Sequence, residues 1–163
     1  MDHTDPPLLD DELAAFVCRE VSITVASCDD DRIPHLARGT GCRISPDRRQ
    51  LTVLLAAPAA AEVLADVRSS GRVAVIFSLP ATHRTLQLKG VDAVVVSAAP
   101  GDAEHAARHA DAFASGLELL GYSAAVIRSV LQAAPDELVA IRFTPSFGSL
   151  QTPGPEAGQA LRA

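Results

Sequence analysis

The apolar residues of this chain fall into short extended runs, and helical patterns occupy only a few of the gaps between them. Val21 to Ser27 is small and β-branched, and the acidic turn Asp29-Asp30-Asp31 separates it from a second extended run, Ile33 to Ile44. Two such runs joined by a turn read as a β-hairpin. Ser45-Pro46-Asp47 supplies the next turn, and Leu51 to Leu55 is a third strand, apolar enough to be covered on both faces. A helix intervenes here. Pro58 suits its first turn, Val63, Leu64 and Val67 mark its apolar side, and Ser69-Ser70-Gly71 ends it. Arg72 to Leu79 is a fourth strand, and Pro80-Ala81-Thr82 leads into a long run from His83 to Val96. Gly90 interrupts that run, and a lone glycine in a strand signals a bulge or a barrel corner.

The last third returns to helix. Asp102 to Leu120 and Ser123 to Ala133, with Ser123 as a candidate N-cap, form a helical hairpin ahead of a final strand, Glu137 to Phe143. At the other end, Asp10-Asp11-Glu12 before Leu13, Phe16 and Val17 opens the chain with a short helix. Six strands with helices between only some of them point to an α+β, mainly β fold: an antiparallel barrel with peripheral helices and a helical hairpin before the last strand. A doubly wound α/β sheet fits less well, because no Gly-rich turn follows the first strand. Residues 147–163, with Pro153, Gly154, Pro155 and Gly158, read as a Pro/Gly-rich tail without core residues.

Composition narrows the function. Apolar residues make up 48% of the 163, but aromatics only 4% with no Trp, so Ala, Val, Leu and Ile must build the core. Stacking platforms for single-stranded nucleic acid are not expected. The net charge is -6 and Arg48-Arg49 is the longest basic run, which argues against a polyphosphate partner. No apolar stretch approaches the ~18 residues of a membrane span. The segment Met1 to Pro7 is acidic and prolyl, unlike a signal peptide. Cys18, Cys28 and Cys42 are odd in number and lack C-x-x-C spacing, which reads as buried reduced thiols. The expectation is a cytoplasmic protein that meets neither nucleic acid nor membrane.

Three segments in this order, Pro34-His35-Leu36-Ala37-Arg38-Gly39-Thr40-Gly41-Cys42, Gly71 to Phe77, and Thr82-His83-Arg84-Thr85-Leu86-Gln87-Leu88-Lys89-Gly90, resemble the FMN-binding split-barrel family related to pyridoxamine 5′-phosphate oxidase. The resemblance runs from about Glu12 to Ile141, and the tail Phe147 to Pro155 is similar to the ends of uncharacterised members. It implies a six-stranded split β-barrel over residues 1–146, a homodimer, and FMN held at the dimer interface. It also implies oxidoreductase chemistry on a small-molecule redox substrate. Arg38 matches the arginine of the second-strand phosphate motif. Arg84 and Thr85 fall where the family often has Arg-Gln, so Thr85 departs at the position whose amide contacts the flavin ring. Ala56-Ala57-Pro58-Ala59-Ala60-Ala61 departs where relatives often place a basic residue for the phosphate. Without Trp or a C-terminal Arg-x-His, pyridoxamine phosphate oxidase activity itself is not expected. The alternatives are a non-catalytic carrier of flavin, deazaflavin or haem, and a cofactor-free dimeric module.

Candidate cofactor-binding residues follow from residue chemistry. An FMN phosphate needs several donors, and guanidinium forks suit its oxygens. Arg38, Arg84 and Lys89 lie on two strands expected to be neighbours. Period-two alternation, however, sets Thr85, Gln87 and Lys89 on one face and Arg84, Leu86 and Leu88 on the other. Gly39 and Gly41 flank Thr40, where a flat ring could approach the backbone. His83 is a candidate donor or proton carrier. His105 and His109 have the i, i+4 spacing of metal ligands but no third partner, and read as an exposed polar helix face with no metal. No G-x-S-x-G elbow supports hydrolase chemistry.

Overall fold

A computed structural model describes residues 6–162. Met1 to Asp5, part of the segment read against a signal peptide, lie outside the described residues. Among the described residues, eight strands form one antiparallel sheet in the order β6-β7-β3-β2-β1-β4-β5-β8. They are β1 (Ser22–Cys28), β2 (Pro34–Ile44), β3 (Leu51–Ala56), β4 (Val73–Leu79), β5 (Arg84–Gly90), β6 (Val94–Ser97), β7 (Leu138–Phe143) and β8 (Phe147–Leu150). Helices α1 (Asp11–Val17), α2 (Ala61–Ser70), α3 (Asp102–Glu118) and α4 (Ala124–Leu131) complete the fold.

Two short links show that the sheet is rolled. Residues 144–146 join β7, second in the order, to β8, which is last; residues 91–93 join β5, seventh, to β6, which is first. Each link covers at most roughly 15 Å in four Cα steps. In a flat sheet the strands it joins would stand six spacings, roughly 29 Å, apart. The sheet therefore curls until its ends meet, yet among the described residues no ladder joins β5 or β8 to β6 or β7. The barrel is left unclosed by hydrogen bonding.

The expectation of six strands is corrected to eight. The run from His83 to Val96 is two strands, because the chain leaves β5 at Gly90 and crosses to the opposite edge. A Cβ at Gly90 would stand 2.5 Å from Phe143 Cδ2, so only glycine permits this corner. The eighth strand comes from the tail. Residues 147–150 pair with β5 in register, Ser149 is buried, and Leu161 packs against the core, so the segment is not devoid of core contacts.

The core fills the barrel interior with Val, Leu and Ile from β1, β3, β4, β5 and β7, with Ala37 and Cys42 from β2, and with Phe77 and Phe143. α1 and α2 cap it. Asp10 caps α1 by accepting from Leu13 N–H at 2.8 Å, and Phe16 and Val17 enter the core. α2 contributes Val63, Leu64 and Val67. Ser123 stands at the N-cap position of α4, but its side chain makes no capping hydrogen bond.

Candidate functional site

α3 covers only part of the barrel's outer surface. Ala106 packs on Leu54 of β3 and Ala140 of β7, with Val96 and Leu138 beside them. Arg43 of β2 grips the buried Asp102 of α3 through two oxygens, at 2.9 and 3.1 Å, and Ala99 N–H adds a third bond at 2.7 Å. Burial works to raise the Asp102 carboxyl, but these donors outweigh it and hold its pKa below the ordinary value. Among the described residues no helix lies over the outer face of the other half, β2-β1-β4-β5-β8.

Register arranges that open half into rows. One crosses five strands as Arg38, Thr24, Ile76, Gln87 and Ser149. A second, nearer α2, reads Leu36, Ala26, Ala74, Lys89 and Phe147. A third, nearer α1, holds Ser22, Ser78 and Thr85. These rows carry two cations and no carboxylate on a chain of net charge -6. They also leave Leu36 at 68% and Phe147 at 43% exposure.

The structure brings five of the seven sequence candidates to this side. Arg38 donates to Ser22 Oγ. Lys89 Nζ sits 5.5 Å from the Phe147 ring centroid. Thr85 Oγ1 and Ser78 Oγ are hydrogen-bonded at 2.8 Å, and the Thr85 backbone is held by Thr152 Oγ1 and Gln151 N–H. Gln87 and Arg38 share a row but stand three strand spacings apart, roughly 14 Å, so no single group of a ligand meets both.

Thr40 occupies a β-bulge: Gly39 pairs with Leu55 and Gly41 with Leu54, leaving one extra residue in β2. Gly39 turns inward, where a Cβ would stand 2.5 Å from Ile23 Cγ2. Gly41 already lies under His105 of α3. Thr40 thus stands at the border between open and covered surface. It is 3% exposed and its Oγ1 has no hydrogen-bond partner. A buried hydroxyl without a partner is costly, and a ligand oxygen or nitrogen would relieve that cost.

The other two candidates lie elsewhere. Arg84 points to the opposite side of β5, where it stacks 4.6 Å over the Phe16 ring and pairs with Glu12 at 2.8 Å. His83 is exposed in the β4–β5 turn at φ 57°. The reading of His105 and His109 as an exposed face is also corrected. His105 Nε2 meets the Cys42 carbonyl at 2.8 Å, and His109 is buried and stacked on Phe113. Burial, then the neighbouring His105, pushes the His109 pKa down. The cysteines divide as well, with Cys42 buried and Cys18 and Cys28 exposed, because helix end and strand end place the latter two at the surface.

A polar cluster at the α2 end was not legible in the sequence. Asp66 of α2, 6% exposed, accepts from Ser27 Oγ at 2.6 Å and meets His35 Nδ1 at 2.8 Å. Burial works to raise the Asp66 pKa, but the bonds from Ser27 and His35 bring it below its usual value. The Asp66 hydrogen bond raises the His35 pKa. Asp66 looks like any helical aspartate, and only folding brings it to a histidine 31 residues away.

A cavity of about 330 Å³ between α3 and α4 is lined by five alanines, Leu131 and Leu138 among others, and its charges Asp111 and Arg128 pair with each other. A depression of about 280 Å³ on the open side is lined by Ala26, Cys28, Arg72, Ala74, Lys89 and Val91 among others. The open side carries Arg38, Gln87 and Lys89 and the unpartnered Thr40 hydroxyl, whereas the charges of the helix-lined cavity pair with each other. Among the described residues no cluster has metal-ligand geometry, and no helix is long and apolar enough to cross a membrane.

No family model and no curated protein sequence matches the chain. Solved structures do share its fold. HupZ of Group A Streptococcus is 11% identical over 92% of this chain and 99% of its own, with a TM-score of 0.56. A protein of Lactobacillus delbrueckii described as a candidate pyridoxamine 5′-phosphate oxidase is 12% identical, covering 90% and 96%, with a TM-score of 0.54. An F420 reductase is 14% identical, covering 86% and 98%, with a TM-score of 0.51. At such identities the likeness is one of fold. The fold is the split barrel that the sequence resemblance implied.

Proposed function

We propose that this chain binds FMN on the open side of β2-β1-β4-β5-β8, as a homodimer in the cytoplasm, and serves as an oxidoreductase for a small-molecule redox substrate. The observation that carries this reading is the orphaned, buried Thr40 hydroxyl two residues from Arg38, on a surface with cations and no carboxylates. The residues present suit the group. Arg38 offers a fork for the phosphate, with Thr40 and Ser22 as hydroxyl partners. Thr85 and Gln87 offer donors and acceptors for polar atoms along the ring, and Lys89 adds positive charge at the far edge. When bound, FMN would supply two-electron transfer, with the protein providing orientation and electrostatics. Because residues 56–61 carry no cation, Arg38 bears more of the phosphate binding than in the sequences this chain resembles.

A second copy accounts for the apolar row. Leu36, Ala26, Ala74 and Phe147 form a strip that a partner would remove from water. A deazaflavin is the second reading, favoured by the fold shared with an F420 reductase.

The test is the visible spectrum of the protein purified without added cofactor and again after incubation with excess FMN and desalting. Twin flavin bands that survive desalting are expected. Retention of F420 but not FMN would move the assignment to deazaflavin, and a Soret band would move it to haem. A blank spectrum with every ligand overturns flavin binding in favour of a cofactor-free module. Light scattering that gives a monomer at micromolar concentration overturns the shared site.

A further inference from the structure

Two alanines form the floor of the depression on the open side. Ala26 of β1 and Ala74 of β4 are directly opposed, and their row continues to Leu36 on one side and Lys89 on the other, so two short side chains stand between two long ones. Arg72, just before β4, and Val91, just after β5, border the same space. Its volume of about 280 Å³ suits a small molecule. Backbone contacts fix this rim. Gly71 ends α2 at φ 66°, a Cβ there would stand 2.9 Å from the Val91 carbonyl oxygen, and Ala93 N–H donates to the Gly71 carbonyl at 2.9 Å. The segments that carry Arg72 and Val91 are therefore bonded to each other. Ser146 N–H holds the Lys89 carbonyl at 2.9 Å. The charge on the rim has one sign. Lys89 is opposite Ala74, so Arg72, two residues before Ala74, is its diagonal cross-strand neighbour at roughly 7–8 Å, within reach of long side chains. Both residues are exposed, and among the described residues neither has a carboxylate partner. No carboxylate lines the depression; Asp29, Asp30 and Asp66 line a separate cavity that shares only Cys28 with it. Two neighbouring cations repel, and a bound oxyanion would turn that repulsion into attraction.

We propose that this depression is an anion subsite, in which Arg72 and Lys89 hold the carboxylate or phosphate of a small organic molecule whose apolar part rests on Ala26, Ala74 and Val91. The guanidinium offers a planar fork to two oxygens, and the ammonium adds a second charge. A neutral molecule of the same shape gains only the apolar contact. Lys89 stands three strand spacings from Arg38, roughly 14 Å, so a phosphate held by Arg38 is not the anion of this depression. That the occupant is the redox substrate rests on the FMN reading above. The subsite itself does not, because Arg72 lies outside the residues assigned to the flavin.

The test titrates benzoate, phenyl phosphate and the neutral benzamide into the full chain, by calorimetry without flavin and by flavin absorption after loading with FMN. Both anions are expected to bind and benzamide is not, and the tighter anion names the head group. In the loaded protein benzoate should shift the flavin bands without releasing flavin. Arg72→Gln, at an exposed site, should weaken both anions roughly tenfold or more and leave FMN retention unchanged. Lys89→Gln should weaken the anions to a similar degree. Anion binding that depends on Arg72 in a chain that retains no flavin would uphold the subsite and remove the flavin reading. Failure of both anions on a chain that retains FMN overturns the subsite and leaves the flavin reading intact. The subsite is equally overturned if benzamide binds as well as benzoate, or if Arg72→Gln leaves anion affinity unchanged. Displacement of FMN by benzoate also overturns it, since the depression would then serve the flavin's own phosphate. Flavin bands unmoved by saturating benzoate would overturn the assignment of its occupant as substrate.

Discussion

The two halves of the barrel's outer surface belong to one sheet and differ in what lies over them. Under α3, the outward residues Leu54 and Ala140 are as buried as the core, and β3 is buried over five consecutive positions. On the open half, β1, β4 and β5 alternate along most of their length, with Ile23, Val25, Val73, Val75, Phe77, Leu86 and Leu88 inward and Ser, Thr, Ala, Gln and Lys outward, Ile76 being the one large apolar side chain among the outward residues of these three strands. A covered strand can be apolar on both faces, whereas an open one needs small or polar outward residues to stay soluble. Those same residues leave room and hydrogen-bonding capacity for a ligand or a second copy.

Leu54→Ala should expose the contrast most strongly, costing about 2–5 kcal/mol because it removes fully buried volume beneath α3. Leu36→Ala, on the open half, should change monomer stability by no more than about 0.5 kcal/mol. Urea denaturation of both variants measures the difference, and equal losses would show that something in the isolated chain covers Leu36. Next in size, Arg38→Ala should weaken FMN binding by about 1.5–3 kcal/mol, roughly tenfold or more in Kd, with little effect on stability. Fluorescence titration reads the first and thermal melting the second. Thr40→Val should stabilise the ligand-free protein by about 1 kcal/mol, by removing the unpartnered hydroxyl, and weaken FMN binding by a similar amount. A loss of ligand-free stability would mean that Thr40 is satisfied within the chain.

The smallest effect concerns the ion pair at the α2 end. The His35 pKa is raised on folding, so its contribution is full below the ordinary value of 6.5 and fades as pH rises through the folded one. The Asp66 pKa is lowered, so its contribution is present above 3.8 and fades as pH falls through the folded value. Stability attributable to the pair should therefore be greatest between pH 3.8 and 6.5 and decline as pH rises above 6.5 through the raised His35 value. His35→Gln should flatten that decline in urea midpoints, and an unchanged slope would assign it to other groups.

Much of this architecture was legible in the residues. The strand runs from Val21 to Leu79, the helix after Pro58 and the hairpin of α3 and α4 announce themselves by alternation, punctuation and period. The alternation of Thr85, Gln87 and Lys89 against Leu86 and Leu88 also assigned β5 its faces, which is why Arg84 could be separated from its neighbours. These features depend on residues within one or two turns of each other, and local sterics and periodicity decide them.

The rest depended on groups far apart in the chain. That His83 to Val96 is two strands at opposite ends of the sheet, and that Phe147 to Leu150 is a strand at all, follows from how the barrel rolls. Gly90 marks a corner in the first segment but not the edge to which the chain crosses, and the second segment has no local strand signal. The Thr40 bulge and the Asp66–His35 pair likewise exist only because partners from distant segments meet. The sequence by itself determined the elements and the faces of most strands, through short-range backbone preference and the period-two pattern. Tertiary structure alone decided which faces α3 covers and which buried polar groups find partners, because burial and hydrogen bonding are properties of the assembled sheet.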